Sequence, residues 1–151
     1  MRIFIREYRD CDWERLQAIH DPARMQELTL AGLEAAFLPL SVAAENEDLF
    51  GYTLSVAELE GEVVGFAAWS RDELAWLYVD PAWRRRGVGI ALVQHALRHI
   101  PERPVLVEVL VGNLPARQLY ESAGFELKET ASGHLCGNEA FPATGWRLYY
   151  E

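Results

Sequence analysis

The chain has 151 residues, half of them hydrophobic and a quarter charged, with a formal net charge of −9 at pH 7. That length predicts a single domain, 1–151, with a sizeable core, and the acidic balance argues against nucleic acid or an anionic membrane as partner. No apolar run reaches the roughly 18–20 residues of a membrane span. Cys11 and Cys136 form no CxxC pair and the start is not signal-like, so a reducing, cytoplasmic setting is expected.

In chain order, residues 2–8 alternate Ile3 and Ile5 with Arg2 and Arg6 and predict a first strand. Asp10 is placed to cap a helix carrying Trp13, Leu16 and Ile19, expected to end near His20-Asp21-Pro22. From Arg24 to about Asn46 the pattern is helical but broken at Pro39, predicting two helices in tandem. Apolar runs at 53–59 and 62–70 meet at Glu60-Gly61, a hairpin signal. Another strand follows from Leu74 to Val79. Gly89, Leu92, Val93, Ala96, Leu97 and Ile100 then fall on one helical face, with Arg98 and His99 in the last turn and Pro101 as a stop. Residues 105–111 read as a strand apolar on both faces except at Glu108, hence central. A helix over Asn113 to Ala123 closes at Gly124, and two strands follow near 125–131 and 143–150. This order predicts an α/β (α+β type) domain, a mixed sheet with helices on both faces.

The stretch from Leu77 to Leu92 carries the chemistry. Arg84, Arg85 and Arg86 stand at a helix start, where the macrodipole disfavours cations by roughly 0.3–1 kcal/mol. Such a cluster is costly unless something anionic sits among them. Gly87 and Gly89 free backbone N–H groups at that helix start, which makes the segment suited to a pyrophosphate. No Gly-Lys-Ser/Thr follows, so a Walker loop fails, and position 92 is leucine, so the dinucleotide fingerprint fails too.

Glu108 is the notable carboxylate. Among valines and leucines it needs either a partner or a raised pKa. A general base and a structural carboxylate paired with an arginine are both open. His95 and His99, at i and i+4, lack a third metal ligand and read as solvated. His134, Cys136 and Glu139 crowd a late loop; the pattern could suggest a metal, but an acceptor-side loop fits better and an ordinary loop better still, so no metal is expected.

Two motifs, in order and on the expected elements, resemble the GNAT superfamily of acyl-CoA-dependent N-acyltransferases. The first is Arg/Gln-x-x-Gly-x-Gly/Ala, here Arg84-Arg85-Arg86-Gly87-Val88-Gly89. The second is Asn-x-x-Ala-x-x-x-Tyr-x-x-x-Gly-Phe, here Asn113, Ala116, Tyr120, Gly124 and Phe125. The resemblance covers about residues 53–128. It implies a mostly antiparallel sheet of six to seven strands, splayed at its central parallel strands, with acyl-CoA between the 74–79 and 105–111 strands.

The resemblance further implies that backbone N–H groups of residues 85–90, up to Ile90, hold the pyrophosphate. Leu77, Tyr78 and Val79 line the thioester, with an N–H near Val79 steadying the oxyanion. Asn113 contacts the cofactor, and Tyr120 protonates the departing thiolate. Glu108 lies five residues before Asn113, where some protein N-terminal acetyltransferases of the family place their base. The early helices of the family border the acceptor pocket, which draws attention to His20, Asp21, Arg24 and Glu27. The expected activity is direct acetyl transfer from acetyl-CoA to a primary amine of a small molecule or of a peptide N-terminus. A noncatalytic acyl-CoA sensor is the alternative, and a homodimer is left open.

Overall fold

The hairpin anchors one half of the sheet. In the structure, a computed structural model that describes residues 2–151, Glu60 and Gly61 both have positive φ, 55° and 78°. That is the left-handed pair a tight two-residue hairpin needs. Strands β2 (Thr53–Leu59) and β3 (Glu62–Trp69) flank it, and β1 (Ile3–Glu7) and β4 (Leu74–Val79) pair antiparallel on either side, in the order β1-β2-β3-β4. The other half holds β5 (Val105–Leu110), β6 (Glu126–His134) and β7 (Pro142–Tyr150) in the order β5-β7-β6, again antiparallel. Between the halves, β4 and β5 run parallel and touch at a single bridge, Glu73 to Leu106. The seven strands thus splay where the family resemblance implied.

Helices cover both faces. On one, Leu92, Val93, Ala96 and Leu97 of α3 (Val88–His99) pack on Ala57, Val64, Val105 and Val107, joined by Tyr120 of α4 (Leu114–Ser122). On the other, Leu16 and Ile19 of α1 (Trp13–Leu30) and Leu40 and Ala43 of α2 (Leu40–Asn46) pack on Val56, Phe66, Ala68 and Trp76. Each wholly buried leucine or isoleucine there contributes roughly 1.5–3 kcal/mol of transfer free energy.

Three local expectations are corrected. The first helix does not stop at His20-Asp21-Pro22; α1 runs on to Leu30 with Pro22 inside it. Proline removes one N–H and crowds the carbonyl four residues back. Ala18 and Pro22 both lie on the exposed side, where water takes that carbonyl, while Ile19, His20 and Ala23 hold the helix through burial. Only the part beyond Pro39 is a separate helix, α2, and the chain between holds a 3-10 turn, Glu34–Ala36. Nor does Asp10 cap α1. It opens a 3-10 turn in which Asp12 accepts the Arg9 N–H at 2.8 Å and two Arg6 bonds at 2.9 Å.

The third correction concerns β5. Val105, Val107 and Val109 are buried, but Leu106 and Leu110 are only partly so and Glu108 is exposed. The strand has one face in the core and one along the splay. An apolar run cannot distinguish two covered faces from one, because covering is supplied by elements distant in sequence.

Candidate active site

The loop from β4 to α3 is held at its start. Asp80 accepts the Ala82 N–H at 2.9 Å and an Arg15 Nη2 bond at 2.9 Å, and Arg15 also donates to the Val63 carbonyl. Residues 85 and 87 adopt φ of 63° and 82°. The left-handed form costs a non-glycine residue about 1–2 kcal/mol, here Arg85, and it is the backbone form of anion-binding nests. Among the described residues, no protein acceptor takes the N–H groups of residues 85–90. Those donors stand at the positive end of α3.

The three arginines are less uniform than their sequence suggests. Arg84 donates to Gln26 of α1, Arg86 stacks over Trp83 at 5.0 Å, and Arg85 carries the left-handed turn. Gly89 meets α4: a Cβ there would lie 3.2 Å from Leu119. A side chain there would have to push the flexible end of Leu119 aside by a few tenths of an ångström, so the contact favours glycine without demanding it.

From the loop a cleft of about 1000 Å³ follows the splay between β4 and β5, walled by α1, α4 and the β6–β7 arm. Leu77, Tyr78, Val79, Arg84, Arg85, Gly87, Val88, Gly89, Ile90, Glu108, Asn113, Ala116 and Tyr120 all border it; Arg86 does not. The sequence-predicted set is thus brought together with that exception.

Tyr120 is 8% exposed and borders the cleft. Burial, and then the nearby Glu27 charge, raise the phenol pKa, which keeps its proton in place. Asn113 does two things at once. Its Oδ1 accepts the Ala116 N–H at 3.3 Å as the cap of α4, and its Nδ2 donates to Glu27 at 3.4 Å.

Glu108 is not buried, contrary to expectation. Its side chain is 49% exposed, opposite Arg147 on β7, whose Nε lies 3.6 Å away. Arg147 also donates to Glu129 at 3.2 Å. Both readings of Glu108 therefore retain support: it faces the cleft, and it has an arginine.

Of the early residues singled out, His20, Arg24 and Glu27 line the cleft, whereas Asp21 accepts the Leu40 N–H at 2.9 Å and so starts α2. Sequence reasoning missed Glu47 and Glu73, which also line the cleft. Burial raises the carboxyl pKa of each; Arg24 works against this at Glu47, and Glu108 and Asp72 add to it at Glu73. Their only sequence signal is acidity, shared with many surface residues. Cys136, beside Glu47, has its thiol pushed up to about 11 by burial and that carboxylate.

His20 packs edge-on to Tyr78 with centroids 4.9 Å apart. Burial lowers its pKa below 6.5, although Asp21 opposes the change. The unfolded chain therefore binds this proton more readily, so the associated stability is complete above about pH 6.5 and falls as pH drops below it. Urea midpoints should decline from pH 7 to 5, and His20→Gln should flatten that decline. Parallel curves for both proteins would assign the loss to other groups.

A splayed seven-stranded sheet with a glycine-opened helix at the splay defines a GNAT-type fold. Residues 50–127, just over half of the chain, match the acetyltransferase (GNAT) domain, and the chain belongs to that family. An uncharacterized N-acetyltransferase of Methanocaldococcus jannaschii is 36% identical over 94 residues, 53% of this chain; the chain spans only 42% of that relative's length. The ribosomal-protein-alanine N-acetyltransferase of Brucella melitensis has a similar structure, with TM-score 0.72 and 26% identity over 97% of this chain and 98% of its own. The yncA protein of Salmonella typhimurium, solved with its cofactor acetyl-CoA, shares the fold at TM-score 0.66 and 20% identity, over 99% of this chain and 94% of its own.

Proposed function

We propose that the protein is an N-acetyltransferase that moves an acetyl group from acetyl-CoA to a primary amine by direct transfer in a ternary complex. One observation carries this reading: a run of uncommitted backbone N–H groups at the start of α3, at the head of a cleft that follows the splay. Residues 85–90 would hold the pyrophosphate, with Leu77, Tyr78 and Val79 along the thioester and Asn113 and Ala116 also contacting the cosubstrate. The cosubstrate supplies an acetyl thioester.

The protein's own residues supply positioning and proton transfer. An alkyl amine of pKa ~10.4 is roughly one part in a few thousand unprotonated at pH 7, so a base is needed. Glu108, directly or through water, takes that proton. Four carboxylates, Glu27, Glu47, Glu73 and Glu108, and four arginines, Arg24, Arg84, Arg85 and Arg147, line the cleft; away from the Arg84–Arg85 loop the carboxylates are in excess, which favours a cationic acceptor there. A backbone N–H near Val79 donates to the carbonyl oxygen as charge develops there. Tyr120 protonates the departing sulfur. The acceptor is a small amine or a peptide N-terminus.

Release of free CoA across a panel of amines and short peptides tests the reading. Tight acetyl-CoA binding without release for any of them would favour the sensor alternative. For any accepted amine, Glu108→Gln should lower kcat/KM by about 10–100-fold and shift its pH profile. An unchanged profile would restrict Glu108 to its contact with Arg147.

A further inference from the structure

Glu27 belongs to neither sequence motif, yet three donors from three elements converge on it. Tyr78 of β4 donates its hydroxyl to Oε1 at 3.0 Å, and Arg24, one turn earlier on α1, donates Nη1 to the same oxygen at 2.8 Å. Asn113, the cap of α4, donates Nδ2 to Oε2 at 3.4 Å. One carboxylate thus ties α1 to β4 and to α4, across the opening of the splay.

Each tie bears on a group that faces the cleft. The Asn113 amide is oriented by two bonds: Oδ1 takes the Ala116 N–H and Nδ2 goes to Glu27. This cap starts the helix on which Tyr120 follows two turns later. The Tyr78 ring is wedged between His20 at 4.9 Å and Phe66 at 5.6 Å, so its hydroxyl points where Glu27 receives it. Three donors, one of them a guanidinium, commit the carboxylate as an acceptor. It is placed to orient neighbours and not to collect a substrate proton.

We propose that Glu27 is a positioning residue that locks the Asn113 amide and the Tyr78 phenol together, so that the acceptor-side helix and the two cofactor-side elements are held as one unit. Only the kinetic consequence rests on the proposed acetyl transfer. The clamp itself is read without any substrate.

The experiment compares Glu27→Gln, which keeps one acceptor oxygen and turns the other into a donor, with Glu27→Ala, which removes both. Amide hydrogen exchange of Ala116 reports the Asn113 cap, and that of Leu92, wholly buried on α3, reports global stability. Glu27→Ala should speed exchange at Ala116 about tenfold with Leu92 unchanged, and Glu27→Gln, whose single oxygen can serve either Asn113 or the Tyr78 and Arg24 donors, should speed it less. With an amine that the wild type turns over, kcat should fall about 10–100-fold for Ala and by less for Gln. Unchanged Ala116 exchange in Glu27→Ala overturns the clamp, and equal acceleration at Leu92 reduces Glu27 to bulk stability. If the wild type acetylates no amine, the transferase reading fails while the exchange data still decide the clamp.

Discussion

Tyr120→Phe should lower kcat by about 10–100-fold with acetyl-CoA affinity changed less than about twofold. The substitution removes one hydroxyl from a side chain that packs at 5.6 Å on Phe125 and is otherwise core. The side chain borders the open cleft, so loss of its hydroxyl should strand no buried donor or acceptor. Stability should therefore hold, and the rate change reports chemistry alone. A free phenol of pKa ~10 donates uphill to a thiolate whose conjugate acid is near ~8.5, and burial raises this phenol further. Donation must then be coupled to departure of the sulfur, with proximity offsetting the unfavourable equilibrium. Turnover unchanged in the phenylalanine variant would remove Tyr120 from the reaction.

Gly112→Ala should be the most destabilising small substitution near the site. Gly112 has φ 107°, and a Cβ there would lie 2.3 Å from the Leu30 carbonyl oxygen, a backbone atom that cannot rotate away. Strain of about 1–3 kcal/mol from the dihedral and a similar cost from overpacking give about 2–6 kcal/mol together. For a domain of this size that is a fall in Tm of about 5–15 °C. Gly133→Ala is the control: it has no positive φ and nothing within 4 Å of the added Cβ. Thermal melts of the two variants that coincide would mean that α1 does not close on the β5–α4 turn. The effect would also reach chemistry, since this approach brings Glu27 to Asn113.

What was legible in the residues alone was local. Gly87 and the start of α3 could be read because helix initiation and left-handed backbone are decided within a few residues; so could the Glu60-Gly61 turn. The α3 face was legible because its period of 3.6 is written in consecutive turns. Pro22 misled because its cost depends on whether its neighbours are wet or buried, which α2 and the sheet decide. Glu108 misled for a related reason: alternation was masked by leucines at 106 and 110, on the face that borders the splay. Glu47 and Glu73 carry no pattern, and both reach the cleft from different elements.

The order of residues by itself determined the strands, the glycine-opened helix and the kinship they imply, because dihedral preference and hydrophobic period act between near neighbours. Only the tertiary structure decided which carboxylates share the cleft, that Arg147 stands beside Glu108, and that Glu27 joins three elements. Those relations span up to 86 residues of chain, and at such separation it is packing that decides what meets.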